Sequence, residues 1–410
     1  MKILGIHSGH DANYCIFEDG KITLHNELER FTRKKHDSNE DDLLSLITSN
    51  GHNTWESYDK LVLALMYRGT EISPSFVESQ ENQIIVGHHM CHASAAYYDS
   101  GFNDALVFTI DGGGYEPTSF WTSATVSVCE KNKINMVYKN HLFDLGNYWS
   151  QLLEVFGLGN VWTPEGDQSG TLMAMSAYGD PYKYLEEFND INESVSRNLP
   201  SEKLKRFKKI HDSDEQAKFD LAASLQYKTE DFIKSFIFSH LNHSISDDKS
   251  IKNICFSGGT MLNCVALGKI SKILKGMGYN VFCDQAPNDS GLSIGAVKYY
   301  YYHLLDNPLP SDTNTPKNSY LGKTYSSEEI IESINGYSNI SIQKDVTLDK
   351  VVELLMGSKI IALFNGGSES GKRALGNRSI IADPRFGFID RKSTRLNSSH
   401  VSESRMPSSA

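Results

Sequence analysis

Two short stretches hold the residues best suited to chemistry: His88-His89-Met90-Cys91-His92 and, further on, Ile110-Asp111-Gly112-Gly113-Gly114. Residues four apart share one face of a helix, so His88 and His92 would project together. His89, about 100° round from His88, and Cys91, about 100° round from His92, would point elsewhere. Residues 107–110 read as a buried strand, and Asp111 stands where that strand enters a glycine turn. Two imidazoles and a carboxylate at the mouth of a sheet are three candidate ligands for a divalent metal. The same residues also fit solvated helix histidines followed by an Asp-Gly turn, and H-x-x-x-H alone does not separate the two readings.

Three later stretches have similar chemistry. Ser257-Gly258-Gly259-Thr260 follows the apolar run 253–256 and opens a helix, which lets backbone amides approach a ligand. Asp289 sits between strand 281–283 and a helix with Leu292, Ile294, Ala296 and Val297, where capping is the commonest job for Asp. The loop 365–379 is dense in Gly, Ser and basic residues, and its Arg373 and Arg378 suit bidentate clamping of phosphate or carboxylate.

The elements that must position these residues come in a repeated order. A strand over 2–6, a second at 15–17, the hairpin turn Glu18-Asp19-Gly20-Lys21 and a return strand at 22–24 open the chain. Strand 106–110, glycine turn 111–114, strand 124–129, turn 130–133 and a strand from Ile134 repeat that order roughly 105 residues later. Duplicated three-strand units opened by small-residue loops resemble the actin-like, sugar-kinase or Hsp-type ATPase fold, an α/β architecture whose two loops grip a nucleotide. Apolar residues from Phe219 to Leu241 at helical spacing mark a core helix. Residues 306–325 lack periodicity and read as a linker. Ser326-Ser327-Glu328-Glu329 is a helix-start signal, followed by a helix over 348–356 and a strand over 360–364.

The bulk properties exclude some classes. At 410 residues, with 39% hydrophobic and 22% charged residues, the chain can bury more than one core. A net charge of −11 without a basic face argues against nucleic acid. No apolar run is long enough to span a bilayer, and Met1 leads directly into a strand, so a cytoplasmic protein is expected. The six scattered cysteines form no C-x-x-C pair and read as reduced residues.

Taken together, Gly9-His10-Asp11-Ala12, the run 29–36, His88-His89-Met90-Cys91-His92-Ala93, Asp111-Gly112-Gly113-Gly114, Ser257-Gly258-Gly259, Leu262-Asn263, Asp289-Ser290-Gly291, the run 373–379 and Asp383-Pro384-Arg385 resemble the O-carbamoyltransferase family of nodulation, cephem and aminoglycoside-antibiotic enzymes. The resemblance implies an actin-like transfer domain over 1–305, a linker over 306–325 and the start of a YrdC-like adenylate-forming α/β domain over 326–390. It further implies that ATP and carbamoyl phosphate give carbamoyl-adenylate, whose carbamoyl group passes to a hydroxyl of a small metabolite. On this resemblance His88, His92, Asp111 and Asp289 are the metal ligands, with Fe²⁺ or another divalent ion bound. His10 is the general base, and Lys35 holds oxygens of the intermediate. Gly112, Gly113, Gly258, Gly259 and Asn263 seat the adenylate, with Arg373 and Arg378 as further nucleotide-site residues. A homodimer is the candidate assembly, with no nucleic-acid or membrane partner. The chain departs from the family pattern at Gly366-Gly367 and Gly371-Lys372, where Gly-Arg and Gly-Pro are usual, and near Thr171, where a Lys is usual. With seven serines and no apolar period, residues 391–410 read as a disordered or artefactual tail, and the adenylate-forming half reads as incomplete, so this chain is expected to be competent at most for the transfer half of the reaction. An actin-like small-molecule kinase and a nucleotide-binding protein without turnover are the rival readings.

Overall fold

The protein, a computed structural model, is described over residues 1–385 except 52–56, 66–82, 118–120, 142–144, 161–162, 164–165, 193–198, 245–250, 310–318, 339–342, 344–345 and 384. The expected tail at 391–410 and the middle of the expected linker lie outside the described residues.

Lys2–His7 (β1), Asn13–Glu18 (β2) and Lys21–Glu27 (β3) form an antiparallel meander. Two short helices follow, Glu29–Thr32 (α1) and Glu40–Ser49 (α2). Lys60–Ala64 (β4) and Gln83–Val86 (β5) then add parallel strands, giving the order β3-β2-β1-β4-β5. Helix His88–Ser100 (α3) leads to the second half. There Asp104–Tyr115 (β6), Trp121–Glu130 (β7) and Lys133–Asn140 (β8) form another antiparallel meander. Helices Leu145–Phe156 (α4), Ser169–Met175 (α5), Ser201–His211 (α6) and Glu215–Ser244 (α7) precede Asn253–Ser257 (β9), Cys264–Gly276 (α8) and Asn280–Cys283 (β10). With β9 and β10 parallel, the second order is β10-β9-β6-β7-β8. Read outward from the first strand, both halves are the same: a three-strand meander on one side and two parallel strands on the other. This is the duplicated actin-like α/β fold expected from the repeated sequence order.

Alternation along the strands gives each sheet two buried faces. Leu4, Ile6, Tyr14 and Ile16 pack under Leu43 and Ile47 of α2, while Ile3, Cys15 and Phe17 pack on Leu292, Ala296 and Val297 of helix Leu292–Lys298 (α9). In the second sheet Leu106, Phe108 and Ile110 meet α4 and α7, while Ala105 and Val107 meet Ala93, Ala96 and Tyr97 of α3. Helices α3 and α9 therefore form the shared layer between the sheets. A Cβ at Gly295 would fall on the carbonyl of Cys91, so the two backbones touch there and a larger residue would drive them apart. The six cysteines are free, and Cys91 turns into the core as expected.

The glycine turn expected at 111–114 is instead part of a strand. β6 runs on to Tyr115, with its register shifted between Ile110 and Gly114, because a glycine run lets a strand bulge without leaving its partner. A Cβ at Gly114 would overlap the His88 ring, so glycine is what lets the strand pass beneath that histidine.

After α9 the chain gives helices Ser327–Ile334 (α10), with the expected capping box of Ser326 and Glu329, and Leu348–Met356 (α11). The strand expected at 360–364 is Ile361–Phe364 (β11). It pairs antiparallel with Arg378–Ile381 (β12), so the basic loop is the link within a two-stranded sheet. This segment covers the open edge of the first sheet. The His25 backbone N–H donates to the Leu321 carbonyl (2.8 Å), and His25 Nδ1 lies 2.9 Å from Ser370 Oγ. His25 Nε2 donates to the Ser290 carbonyl at 2.8 Å, so Nδ1 accepts from the serine.

Burial, helped by Arg30 and Lys298 and opposed by the Ser290 bond, lowers His25 from 6.5 to about 4. A base with a depressed native pKa contributes stability that is present above pH 6.5 and is lost as pH falls toward 4. The protein should lose about 2 kcal/mol from this residue between pH 7 and 5. Urea unfolding of His25→Asn should show a correspondingly shallower slope over that window. An unchanged slope would exclude this account of His25.

Candidate metal centre

Three elements meet at one point between the halves. The helix α3 begins at His88 and brings His88 and His92 onto one face, as their spacing predicts. Asp111 stands at the bulge of β6, and Asp289 stands in the turn before α9. His88 Nε2 is 2.8 Å from Asp111 Oδ2 and 3.7 Å from Asp289 Oδ1, and His92 Nε2 is 3.7 and 3.5 Å from the same two atoms. All four residues are buried, and their ligand atoms lie within 4.8 Å of one another. The helix-capping reading of Asp289 does not hold: the residue capping α9 is Gly291, with no side-chain cap. His89 points away and lies beside Glu116, 3.5 Å from its Oε1.

The fit to a cation can be tested on the donors themselves. His92 Nε2 is buried with no hydrogen-bond partner, and it faces two carboxylates. A buried polar atom left unpaired costs about 1–3 kcal/mol, which a ligand bond would remove. Two imidazole nitrogens and two carboxylate oxygens suit a first-row divalent ion. The group fits. Burial pushes His92 down, but its contacts with Asp111 and Asp289 outweigh this and lift it to about 10. Burial likewise pushes Asp111 up, yet the two histidines hold its carboxyl well below the usual range.

Several supports were not legible in the sequence. Ser257 Oγ donates to Asp284 Oδ2 (3.1 Å) and lies 3.4 Å from His92 Nδ1, so a buried serine and carboxylate stand behind that ring. Asn13 Nδ2 donates to the carbonyls of Asp11 (2.7 Å) and Asp289 (3.0 Å), tying the first turn to the turn before α9. Groups that orient a ligand in this way typically affect metal affinity 10–100-fold. Asp284→Ala should therefore weaken metal binding by roughly 10–100-fold without removing a ligand. Competition with a chelator would measure this, and unchanged affinity would assign Asp284 to packing alone.

His10 reaches the cluster from the β1–β2 turn. Its Nε2 is 3.4 Å from Asp289 Oδ2, and its Nδ1 is 3.1 Å from Asp11 Oδ2. Burial lowers it, but Asp289, Asp11 and Asp111 together raise it to about 9. A cation sharing Asp289 would take up that charge and bring His10 back toward neutrality. Lys35 stands beside Glu29, with Nζ 3.9 Å from its Oε1.

The other expected site residues have mixed placements. Gly259 N–H donates to Asp111 Oδ1 (2.9 Å), and Gly258, at φ +96°, lies against Ile110. A Cβ on Gly112 would meet open space, while one on Gly113 would strike Trp121. Asn263 caps α8 through Ala266 N–H and pairs with Gln226. Arg373 donates to the Leu262 carbonyl at 2.7 Å, which links the C-terminal segment to the second half. Arg378 turns back on its own loop, donating to the carbonyls of Asn365 and Gly366 and lying 3.6 Å over the Phe364 ring. The loop does form an anion cradle, but the chain's own Glu369 occupies it. Glu369 Oε1 accepts from the N–H groups of Leu375, Asn377 and Arg378 at 2.9–3.0 Å.

The duplicated α/β scaffold thus brings two histidines and two aspartates together between its halves, a group that could hold a metal ion. The profile described as Carbamoyltransferase N-terminus matches residues 56–298, and the one described as Carbamoyltransferase C-terminus matches residues 352–401. The chain belongs to the carbamoyltransferase family. An uncharacterized protein of Synechocystis sp. is 26% identical, covering 93% of this chain and 71% of its own length. Nodulation protein NolO of Bradyrhizobium diazoefficiens is 28% identical, covering 73% of this chain and 54% of that protein. NolNO of Sinorhizobium fredii is also 28% identical, covering 77% of this chain and 45% of that protein. The chain spans about half the length of these two nodulation proteins. No helix among the described residues is long and apolar enough to cross a membrane.

Proposed function

We propose that the protein transfers a carbamoyl group to a hydroxyl of a small metabolite. Carbamoyl phosphate is the donor: water releases its phosphate to leave carbamate, whose oxygen attacks the α-phosphorus of ATP, displacing pyrophosphate and giving carbamoyl-adenylate. The observation that carries this reading is Asp289, which faces both His88 and His92 through one oxygen and His10 through the other. A group able to take a proton is thereby joined to a site able to hold a cation. His88, His92, Asp111 and Asp289 would hold a divalent ion, Fe²⁺ among the candidates. When bound, such an ion supplies Lewis acidity for the carbonyl and charge for the phosphate.

His10 Nε2 takes the proton of the acceptor hydroxyl. The hydroxyl oxygen forms its bond to the carbamoyl carbon, and the bond from that carbon to the AMP oxygen breaks. Gly112, Gly113, Gly258 and Gly259, with Asn263, would seat the adenylate; of the four glycines Gly112 faces open space, and Arg373 ties the C-terminal segment to Leu262 beside Asn263. Lys35, which stands beside Glu29, would supply a cation for oxygens of the intermediate.

The test supplies carbon-labelled carbamoyl-adenylate, or ATP alone, with a panel of hydroxylated metabolites, and follows the label and the nucleotide. Label in a neutral carbamoyl ester with release of AMP is the expected outcome. ADP with a phosphorylated acceptor would establish the kinase reading instead.

A further inference from the structure

We propose that His36 and Asp11 are positioning residues that set the orientation of His10, and that a backbone amide from the second half locks them in place. This inference rests on His10 acting as the proton acceptor described above.

His36 Nδ1 donates to Asp11 Oδ1 at 2.8 Å, and Asp11 Oδ2 lies 3.1 Å from His10 Nδ1. The three side chains thus form a line that ends at the cleft. Its far end is fixed from outside: the backbone N–H of Asp167 donates to His36 Nε2 at 3.1 Å. An imidazole nitrogen that accepts from an amide carries no proton, so the His36 proton must sit on Nδ1 and point at Asp11. Asp11 is buried and its second oxygen lies 3.1 Å from His10 Nδ1, so the contact fixes the ring with Nε2 turned toward Asp289. The same three residues have the types and closeness of a second metal site. However, both His36 nitrogens are already committed to hydrogen bonds, so a relay describes them better than a ligand set.

The backbone supports the assignment. Asp11 and His36 both adopt left-handed conformations, at φ +61° and +52°, which residues with a side chain take uncommonly. Such conformations persist where surrounding contacts over-determine them. Here Ala12 N–H donates to the Asp37 carbonyl and His36 N–H to Glu29 Oε2, fastening the two turns together. Lys372 Nζ, 3.9 Å from Asp11 Oδ1, adds a cation from the C-terminal segment. Because Asp167 precedes α5 in the second half and His36 follows β3 in the first, the line is complete only when the halves are seated together.

The test compares His36→Phe, His36→Asn and His36→Gln in the full chain. The Asn amide can donate to Asp11 in place of Nδ1, whereas the Gln amide reaches the Nε2 position and cannot. His36→Phe and His36→Gln should lower kcat on the order of 10²-fold, with KM and metal content nearly unchanged. His36→Asn should recover most of that loss. Equal losses in Asn and Gln, or a loss carried by KM or by metal content, would assign His36 to structure alone. A second readout does not depend on turnover. Nitrogen-15 correlations of the histidine rings should show His36 protonated on Nδ1, and the His10 ring signals should change in His36→Gln. Unchanged His10 signals would overturn the proposal. If the wild-type protein moves no carbamoyl group, the functional reading fails, and the ring signals still decide whether His36 holds His10.

Discussion

His10→Asn should lower carbamoyl transfer by roughly 10²–10⁴-fold while leaving folding and nucleotide binding nearly intact. A histidine in a tight turn often does no more than bond its own loop, and His10 does have such a contact, with Asp11 beside it. What separates it from that plain role is its other nitrogen, which faces Asp289 from a residue 279 positions away in the chain. Asn can keep the contact to Asp11 but has no basic nitrogen to take a proton. The loss should fall on kcat for transfer from preformed carbamoyl-adenylate. Near-normal transfer by the mutant would return His10 to the plain role.

The second large effect is on the ligands. Asp289→Asn keeps the shape of the side chain but removes the charge that His10 and the two metal-facing histidines share. Metal content should fall to below about one-tenth of the wild-type value, and transfer should fall on the order of 10³-fold, the usual weight of preorganised charge stabilisation. The near-isosteric change avoids leaving two buried imidazoles beside a cavity, so the midpoint of thermal unfolding should move little. Full metal content in the variant, read by elemental analysis, would remove Asp289 from the ligand set.

How much of this was legible depended on distance along the chain. The spacing of His88 and His92 needed only the helical period, and both meshed with Asp111 because a strand end and a helix start lie side by side in this fold. The repeated meander could be read for the same reason, since each unit is local. The strand character of 111–114 was hidden because glycine runs signal turns far more often than bulges, and only pairing with β7 shows the strand continuing. Ser257 and Asp284 behind His92, and the amide of Asp167 on His36, join residues 165, 27 and 131 positions apart that no local pattern links. The basic loop at 365–379 shows another limit of local reading. Its composition does describe an anion cradle, but Glu369, an acid inside the same loop, is the anion the cradle holds.

His88, His92, Asp111 and Asp289 should together hold one divalent ion on which carbamoyl transfer depends. This dependence is tested most directly by stripping the protein with a chelator and assaying transfer from preformed carbamoyl-adenylate before and after adding back one equivalent of a divalent metal. The account predicts transfer near background in the stripped protein and recovery at about one metal per chain. Undiminished transfer by protein carrying less than one-tenth of an equivalent would contradict it.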